Sequence, residues 1–146
     1  MHLKSTLLKT TLLGVALLAP LSAPLVQAET PTASSEGARV YIISPANGDT
    51  VPQTFTVRFG LSGMGVAPAG TDKAGTGHHH LLIDRAEVPP AGMPMDSTVQ
   101  HFGGGQTEVE LSLEPGEHSL QLLLGDMKHV PHEPAVLSEK ITIQVK

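Results

Sequence analysis

Cysteine is missing from the sequence, which has 146 residues. Its absence excludes thiolate metal sites, disulfides, redox-active pairs and a cysteine nucleophile. Because no disulfide can brace the fold, one domain of ordinary size must be stabilised by its hydrophobic core, which is feasible at this length. Any metal site must then be built from imidazole, carboxylate or thioether groups.

Aromatic and basic residues are also scarce. Three Phe, one Tyr and no Trp weaken a carbohydrate-binding interpretation, since sugar sites commonly rely on exposed aromatic side chains. Lys and Arg number 9 against 14 Asp and Glu, which gives a formal net charge of −5. Nucleic acids and anionic membrane surfaces attract basic patches, so neither is expected as a partner.

A run of about 18 apolar residues, the length that can span a bilayer, is missing as well. Residues 1–28 have the pattern of a secretory signal instead. Lys4 and Lys9 precede a shorter apolar run at 12–18, and Val26-Gln27-Ala28 offers small residues at −3 and −1. We expect cleavage after Ala28, a periplasmic or secreted protein, and no insertion into the membrane.

Helical periodicity does not persist over three turns anywhere in the chain. Short segments such as 55–61, 109–113 and 141–145 alternate apolar and polar residues instead, which predicts half-buried strands. Turns rich in Gly and Pro separate them. We therefore predict an all-β fold, an immunoglobulin-like antiparallel β-sandwich of about seven strands, over residues 38–146. The polar residues 29–37 are predicted to form a flexible tether before it.

Histidine stands out against this background, with eight residues in the chain. Three are consecutive, in Gly77-His78-His79-His80, at the start of an apolar strand. Because side chains alternate along a strand, we expect His78 and His80 on one face and His79 on the other. Two histidines at i and i+2 can chelate one ion, so this stretch supplies at most two ligands to one site.

Two further segments carry ligand-type residues. His101 lies beside Phe102, and the loop 126–132 combines histidines with a methionine and with Asp126, which could orient a histidine. Loops of a sandwich cluster at its ends, so these segments can meet the triple histidine. Imidazole together with thioether favours copper, with zinc as the alternative. The predicted metal ligands are His78, His80, His101, His129, His132 and Met127, with Met93 and Met95 as other thioether candidates.

Four motif blocks resemble a known family. They run from Phe59 to Gly70, from Gly77 to Asp84, from His101 to Glu108 and from Gly125 to His132. They are similar to small exported bacterial proteins of the domain-of-unknown-function family numbered 4399, over about residues 38–146. The resemblance implies no established activity, but the predicted histidine ligands lie inside its blocks.

Three functions are compatible with these features. The principal prediction is a periplasmic metal-binding protein, with copper as the expected ion, that acts as a carrier or chaperone through a His/Met cluster. The second is a non-enzymatic module that binds a peptide, a glycan or an envelope protein partner and uses its histidines as an internal, structural hydrogen-bond network. The third is an enzyme, for which three histidines and an open coordination position on a metal would be the signature.

Overall fold

The computed structural model describes residues 28–146. The predicted signal sequence, except Ala28, lies outside the described residues. Among residues 28–146, no helix is long and apolar enough to cross a membrane. The strands are β1 (Arg39–Ser44), β2 (Thr50–Val51), β3 (Thr54–Ser62), β4 (Gly65–Val66), β5 (Thr76–Ile83), β6 (Gln100–His101), β7 (Glu108–Ser112), β8 (Gly116–Gly125) and β9 (Ile141–Val145).

The strands form two sheets. One has the order β1-β3-β7, and the other has the order β2-β9-β8-β5-β4, with β6 also paired to β5. An immunoglobulin-like sandwich has this arrangement, because its strands A, B and E share one sheet and its strands G, F and C share the other. The predicted all-β sandwich is therefore confirmed.

The pairing is antiparallel between the longer strands. Two short pairings are parallel, namely β2 with β9 and β4 with β5. The prediction of an antiparallel sandwich did not include them. Strands of two residues are too short for an alternating pattern, so β2 and β4 leave no periodic signal in the sequence.

The main hydrophobic core lies between the two sheets. Each fully buried Leu, Val, Ile or Phe side chain in it stabilises the fold by about 1.5–3 kcal/mol relative to an exposed one. Alternate residues of each strand face this core, as the period of two predicts. Its most deeply buried members include Val57 and Phe59 of β3, Leu81 of β5, Leu120, Leu122 and Leu124 of β8, and Ile143 of β9.

Strand β5 is covered on both faces. Its residues from Gly77 to Leu82 are all buried. On the face away from the main core, Leu82 packs with Leu123 of β8, with Val99 and with the half-buried Met95. Val99 and Met95 belong to the irregular segment between β5 and β6, which therefore forms a cover over this outer face.

The residues before β1 lie against two loops. Glu29 N–H donates to the carbonyl of Gly92 at 2.7 Å, and Glu133 N–H donates to the carbonyl of Thr32 at 3.0 Å. The ammonium of Lys128 lies 2.9 Å from the Glu29 carboxylate. These contacts join the amino-terminal segment to the loops that follow β5 and β8. The flexibility predicted for residues 29–37 stays a prediction.

Candidate metal centre

Four histidines from three parts of the chain form one cluster on the outer face of the β5 sheet. Each offers a ring nitrogen, and these four nitrogens all lie within 4.8 Å of one another. The ring centroids are 4.5 to 5.9 Å apart in every pair. The sequence could not show that the three segments meet, and the structure brings them together. The members of the four-histidine cluster are His78, His80, His101 and His129.

Strand geometry places three of these side chains. His78 and His80 share one face of β5, as predicted, because alternate residues project to the same side. In the pairing of β5 with β6, His80 lies directly opposite His101. Directly opposed residues carry their side chains on the same face, with Cβ atoms about 4.5–5.5 Å apart. Two short segments of regular backbone thus fix three imidazoles beside one another.

The fourth imidazole comes from a loop that is held by a carboxylate. His129 adopts a left-handed backbone conformation, with φ of 65°. Asp126 Oδ1 accepts hydrogen bonds from the N–H groups of Lys128 at 2.9 Å and Val130 at 3.0 Å. Its Oδ2 accepts one from the Thr32 hydroxyl at 2.7 Å. Asp126 therefore orients His129 through the loop backbone rather than by a bond to the ring.

Two glycines make room for the rings. Gly125 lies opposite His78 in the pairing of β5 with β8. A Cβ on Gly125 would come within 2.6 Å of His80 Cε1 and 2.7 Å of Met95 Cε. A Cβ on Gly103 would overlap the ring of His101. These close approaches explain why residues without side chains stand at positions 103 and 125.

Burial keeps the deepest rings neutral. Burial, with the neighbouring His129 and His101, lowers the pKa of His78 to about 4. Burial, with the neighbouring His78 and His101, lowers the pKa of His80 to about 3. The pKa of His101 is also lowered, by burial and then by His129. Neutral imidazole is the form that binds metal ions, so the cluster is held ready for coordination near neutral pH.

Hydrogen bonding within the cluster is incomplete. His78 Nε2 lies 3.0 Å from His129 Nδ1. The Nδ1 atoms of both His78 and His80 are buried, and among the described residues neither has a hydrogen-bond partner. An unpaired buried polar atom costs about 1–3 kcal/mol. The arrangement therefore destabilises the protein, as expected for a functional site rather than for packing alone.

A cleft of about 520 Å³ opens beside the cluster. His80, His101 and His129 line it, together with Met95. His78 is fully buried, whereas His101 is exposed and His129 is half-buried. An ion can therefore reach the cluster from the cleft, with the ring of His78 on its inner side.

The structure does not bring His132 into the cluster. A Cβ on Gly77 would lie 2.9 Å from His132 Cε1, and alternation places position 77 on the same face of β5 as His79. The two ring nitrogens of His132 lie 3.4 Å from the Leu124 carbonyl and 3.3 Å from the Thr76 carbonyl. His132 therefore packs on the opposite side of the sheet from His78 and His80.

Met127 is also outside the cluster. It lines a separate, smaller cavity with Thr32, Thr71 and Asp126. Its carbonyl accepts a hydrogen bond from Gly70 N–H at 2.9 Å. The thioether that shares the cleft with the histidines belongs to Met95. The sequence contained both methionines, but the irregular segment before β6 has no periodicity that would place Met95.

His79 faces the main core, as alternation predicts. Its ring centroid lies 5.3 Å from that of Phe59. Burial lowers the pKa of His79, against a backbone hydrogen bond with Gln106 that raises it. His79 therefore lies on the other side of the sheet from the four-histidine cluster.

Comparison with known families adds one finding. The family model described as Domain of unknown function (DUF4399) matches residues 57–146. The chain belongs to the DUF4399 family. The resemblance seen in the motif blocks is thereby confirmed, and the part of this DUF4399 protein that matches contains the whole four-histidine cluster. Searches of the curated proteins and of the solved structures gave no match.

Proposed function

We propose that this DUF4399 protein binds one transition-metal ion, copper in preference to zinc, and acts as a periplasmic carrier of that ion. One observation carries the proposal, namely the convergence of four imidazoles from β5, β6 and the loop after β8 within 4.8 Å. Imidazole is a good ligand for both copper and zinc, and Cu²⁺ generally binds a given set of nitrogen ligands more tightly than Zn²⁺.

The number of ligands favours binding over catalysis. Four protein ligands can fill the coordination sphere of a tetrahedral ion, whereas catalytic zinc sites keep one position for water or substrate. The cleft beside the cluster supplies a route by which the ion enters and leaves. A filled site with an open route suits a carrier or chaperone better than an enzyme.

The orphaned ring nitrogens argue against a purely structural role for the cluster. An envelope module that used its histidines as an internal hydrogen-bond network would be expected to satisfy their buried nitrogens. The Nδ1 atoms of His78 and His80 have no such partner among the described residues. The periplasmic location is supported by the signal pattern of residues 1–28, where Lys4 and Lys9 precede the apolar run.

Titration calorimetry with Cu(II) and with Zn(II) tests the proposal. We expect one ion per chain with a dissociation constant of about 1 µM or lower, and binding at least about 100-fold weaker in the variant His78→Ala. His118→Ala is the matched control, because His118 is bonded to Asp84 and to the Glu114 carbonyl rather than to the cluster. Failure of the wild-type protein to bind either ion contradicts the proposal.

A further inference from the structure

Met95 lies outside the cluster and lines the same cleft as three of its histidines. Its methyl carbon Cε and the Cε1 atom of His80 lie within 2.7 and 2.6 Å of the same point, the position that a Cβ on Gly125 would occupy. The thioether group and the ring of His80 are therefore neighbours above Gly125. A larger residue at position 125 would separate or displace them.

The backbone also couples Met95 to the cluster. Met95 N–H donates a hydrogen bond to the carbonyl of His129 at 2.8 Å. The side chain is half-buried and lines the same cleft as His80, His101 and His129. Its three rotatable bonds let the sulfur turn toward an ion without movement of the backbone. The backbone of Met95 is thus held beside His129, while its side chain can turn toward an ion near His80.

The donor set has no charged member. Imidazole and thioether are neutral when they bind an ion. The carboxylate of Asp126 accepts hydrogen bonds from Thr32 and from two backbone N–H groups, and that of Asp96, which lines the same cleft, accepts them from Thr98. An ion bound only by neutral ligands keeps its full charge. The free-energy cost of removing that ion from water is larger for a divalent ion than for a monovalent one. A monovalent ion is therefore better suited to this site than a divalent one, and thioether sulfur is a preferred ligand of Cu(I).

We propose that the thioether sulfur of Met95 is a ligand of the bound ion and makes the site bind Cu(I) tightly. This inference rests on the proposed function, since it assigns a thioether donor, in place of one of the four imidazoles, and an oxidation state to the same site. It places the soft ligand at Met95, which lines the cleft beside the cluster.

The variant Met95→Leu separates ligation from packing. Leucine has nearly the same volume and can pack against Leu82, Val99 and Leu123 as methionine does, but it has no sulfur. Met93→Leu is the matched control, because Met93 is half-buried in the same segment and does not line the cleft. Zn(II) affinity and the melting temperature report whether either change disturbs the fold or the histidines.

Competition with a chromophoric Cu(I) chelator under reductant measures the expected effect. Met95→Leu weakens Cu(I) binding at least about tenfold and leaves Zn(II) binding within about twofold, while Met93→Leu changes neither. X-ray absorption of the Cu(I)-loaded wild-type protein shows a sulfur neighbour that Met95→Leu lacks.

Two results overturn the inference. One is a Cu(I) affinity of Met95→Leu within about twofold of the wild type. The other is a copper absorption spectrum of the wild-type protein without a sulfur neighbour. If the wild type binds Cu(II) and Zn(II) but not Cu(I), the inference fails and the proposed function stands. If it binds none of these ions, both fail.

Discussion

His78 Nε2 lies 3.0 Å from His129 Nδ1, although the two residues are 51 positions apart in the chain. One ring must donate and the other accept, because two acceptor nitrogens would repel at this distance. An ion that binds both nitrogens must replace this hydrogen bond. This contact therefore joins strand β5 to the loop after β8 within the candidate site.

Replacing Asp126 by Ala should weaken metal binding without removing any ligand. The carboxylate holds two backbone N–H groups and the Thr32 hydroxyl, so its loss releases the loop that carries His129. Burial opposes ionisation of Asp126, but these hydrogen bonds together hold its pKa below the usual value. We expect metal affinity to fall about 10- to 100-fold and the free energy of unfolding to fall by about 2–3 kcal/mol.

Asp49→Ala is the control for this variant. Asp49 also accepts a backbone hydrogen bond within a turn, from Ala46 N–H at 2.8 Å, but the turn before β2 carries no residue of the cluster. Calorimetric titration should therefore show unchanged affinity in Asp49→Ala. Equal affinity in Asp126→Ala and the wild type would contradict the orienting role of the loop.

Gly125→Ala should disturb the site by crowding it. The new methyl group would overlap His80 Cε1 and Met95 Cε, and overpacking of this kind costs about 1–3 kcal/mol. We expect metal affinity to fall at least about tenfold, because His80 must leave its position. In Gly65→Ala, the added Cβ would lie at an ordinary 3.5 Å from Thr76 Cγ2. That variant should bind the ion with the affinity of the wild type. Calorimetric titration of the two variants side by side measures the difference in metal affinity.

Stability of the metal-free protein should decrease as the pH falls from about 6.5 to about 3. The unfolded chain protonates its histidines near pH 6.5, whereas the pKa is lowered to about 4 for His78 and to about 3 for His80. The unfolded state therefore binds more protons in this pH range. Each of the two histidines lowers the free energy of unfolding by up to about 1.4 kcal/mol for each unit by which the pH falls. Urea denaturation at pH 7 and pH 5 measures the difference.

His118 contributes to the pH dependence of stability with the opposite sign and over a different pH range. A hydrogen bond from the ring to Asp84 raises the pKa of His118, so its stabilisation is present below pH 6.5 and is lost as the pH rises through the folded pKa. In the double variant His78→Ala/His80→Ala, the free energy of unfolding should depend less on pH below about 6.5 and should keep its dependence above that pH. An unchanged acid slope in that variant would mean that other groups cause it.

The amino-terminal segment should influence the site through Thr32. Thr32→Val removes the hydroxyl that donates to Asp126 at 2.7 Å and keeps the shape of the side chain. We expect metal affinity to fall a few-fold and amide hydrogen exchange in the loop from 126 to 133 to become faster. Thr54→Val, which removes an exposed contact with Ser112, should affect neither. Identical exchange in both variants would argue against a link between the segment and the loop.

Much of the fold was readable from alternation. The period of two in residues 55–61, 109–113 and 141–145 predicted three strands, which the structure contains as β3, β7 and β9, although β7 ends at Ser112. The same rule divided the triple histidine correctly, because the faces of a strand follow from backbone geometry alone.

The membership of the site was only partly readable. His129 and His132 are three residues apart in one loop, yet they lie on opposite sides of the β5 sheet. Their separation depends on the left-handed conformation at His129 and on the bonds to Asp126, which composition does not reveal. Met127 was predicted as a ligand because it is two residues from His129 in the sequence. In the structure, the segment that covers the outer face of β5 places Met95 beside the histidines instead.

Elemental analysis of the untagged protein, purified from the periplasm in which we propose that it acts, tests the central claim most directly. The four-histidine cluster predicts about one copper ion per chain, retained after removal of loosely bound metal and absent from His78→Ala/His80→Ala purified in the same way. The same result in His118→Ala as in the wild type would show that the copper belongs to the cluster. Wild-type protein that contains no metal and takes up none on titration would contradict the account.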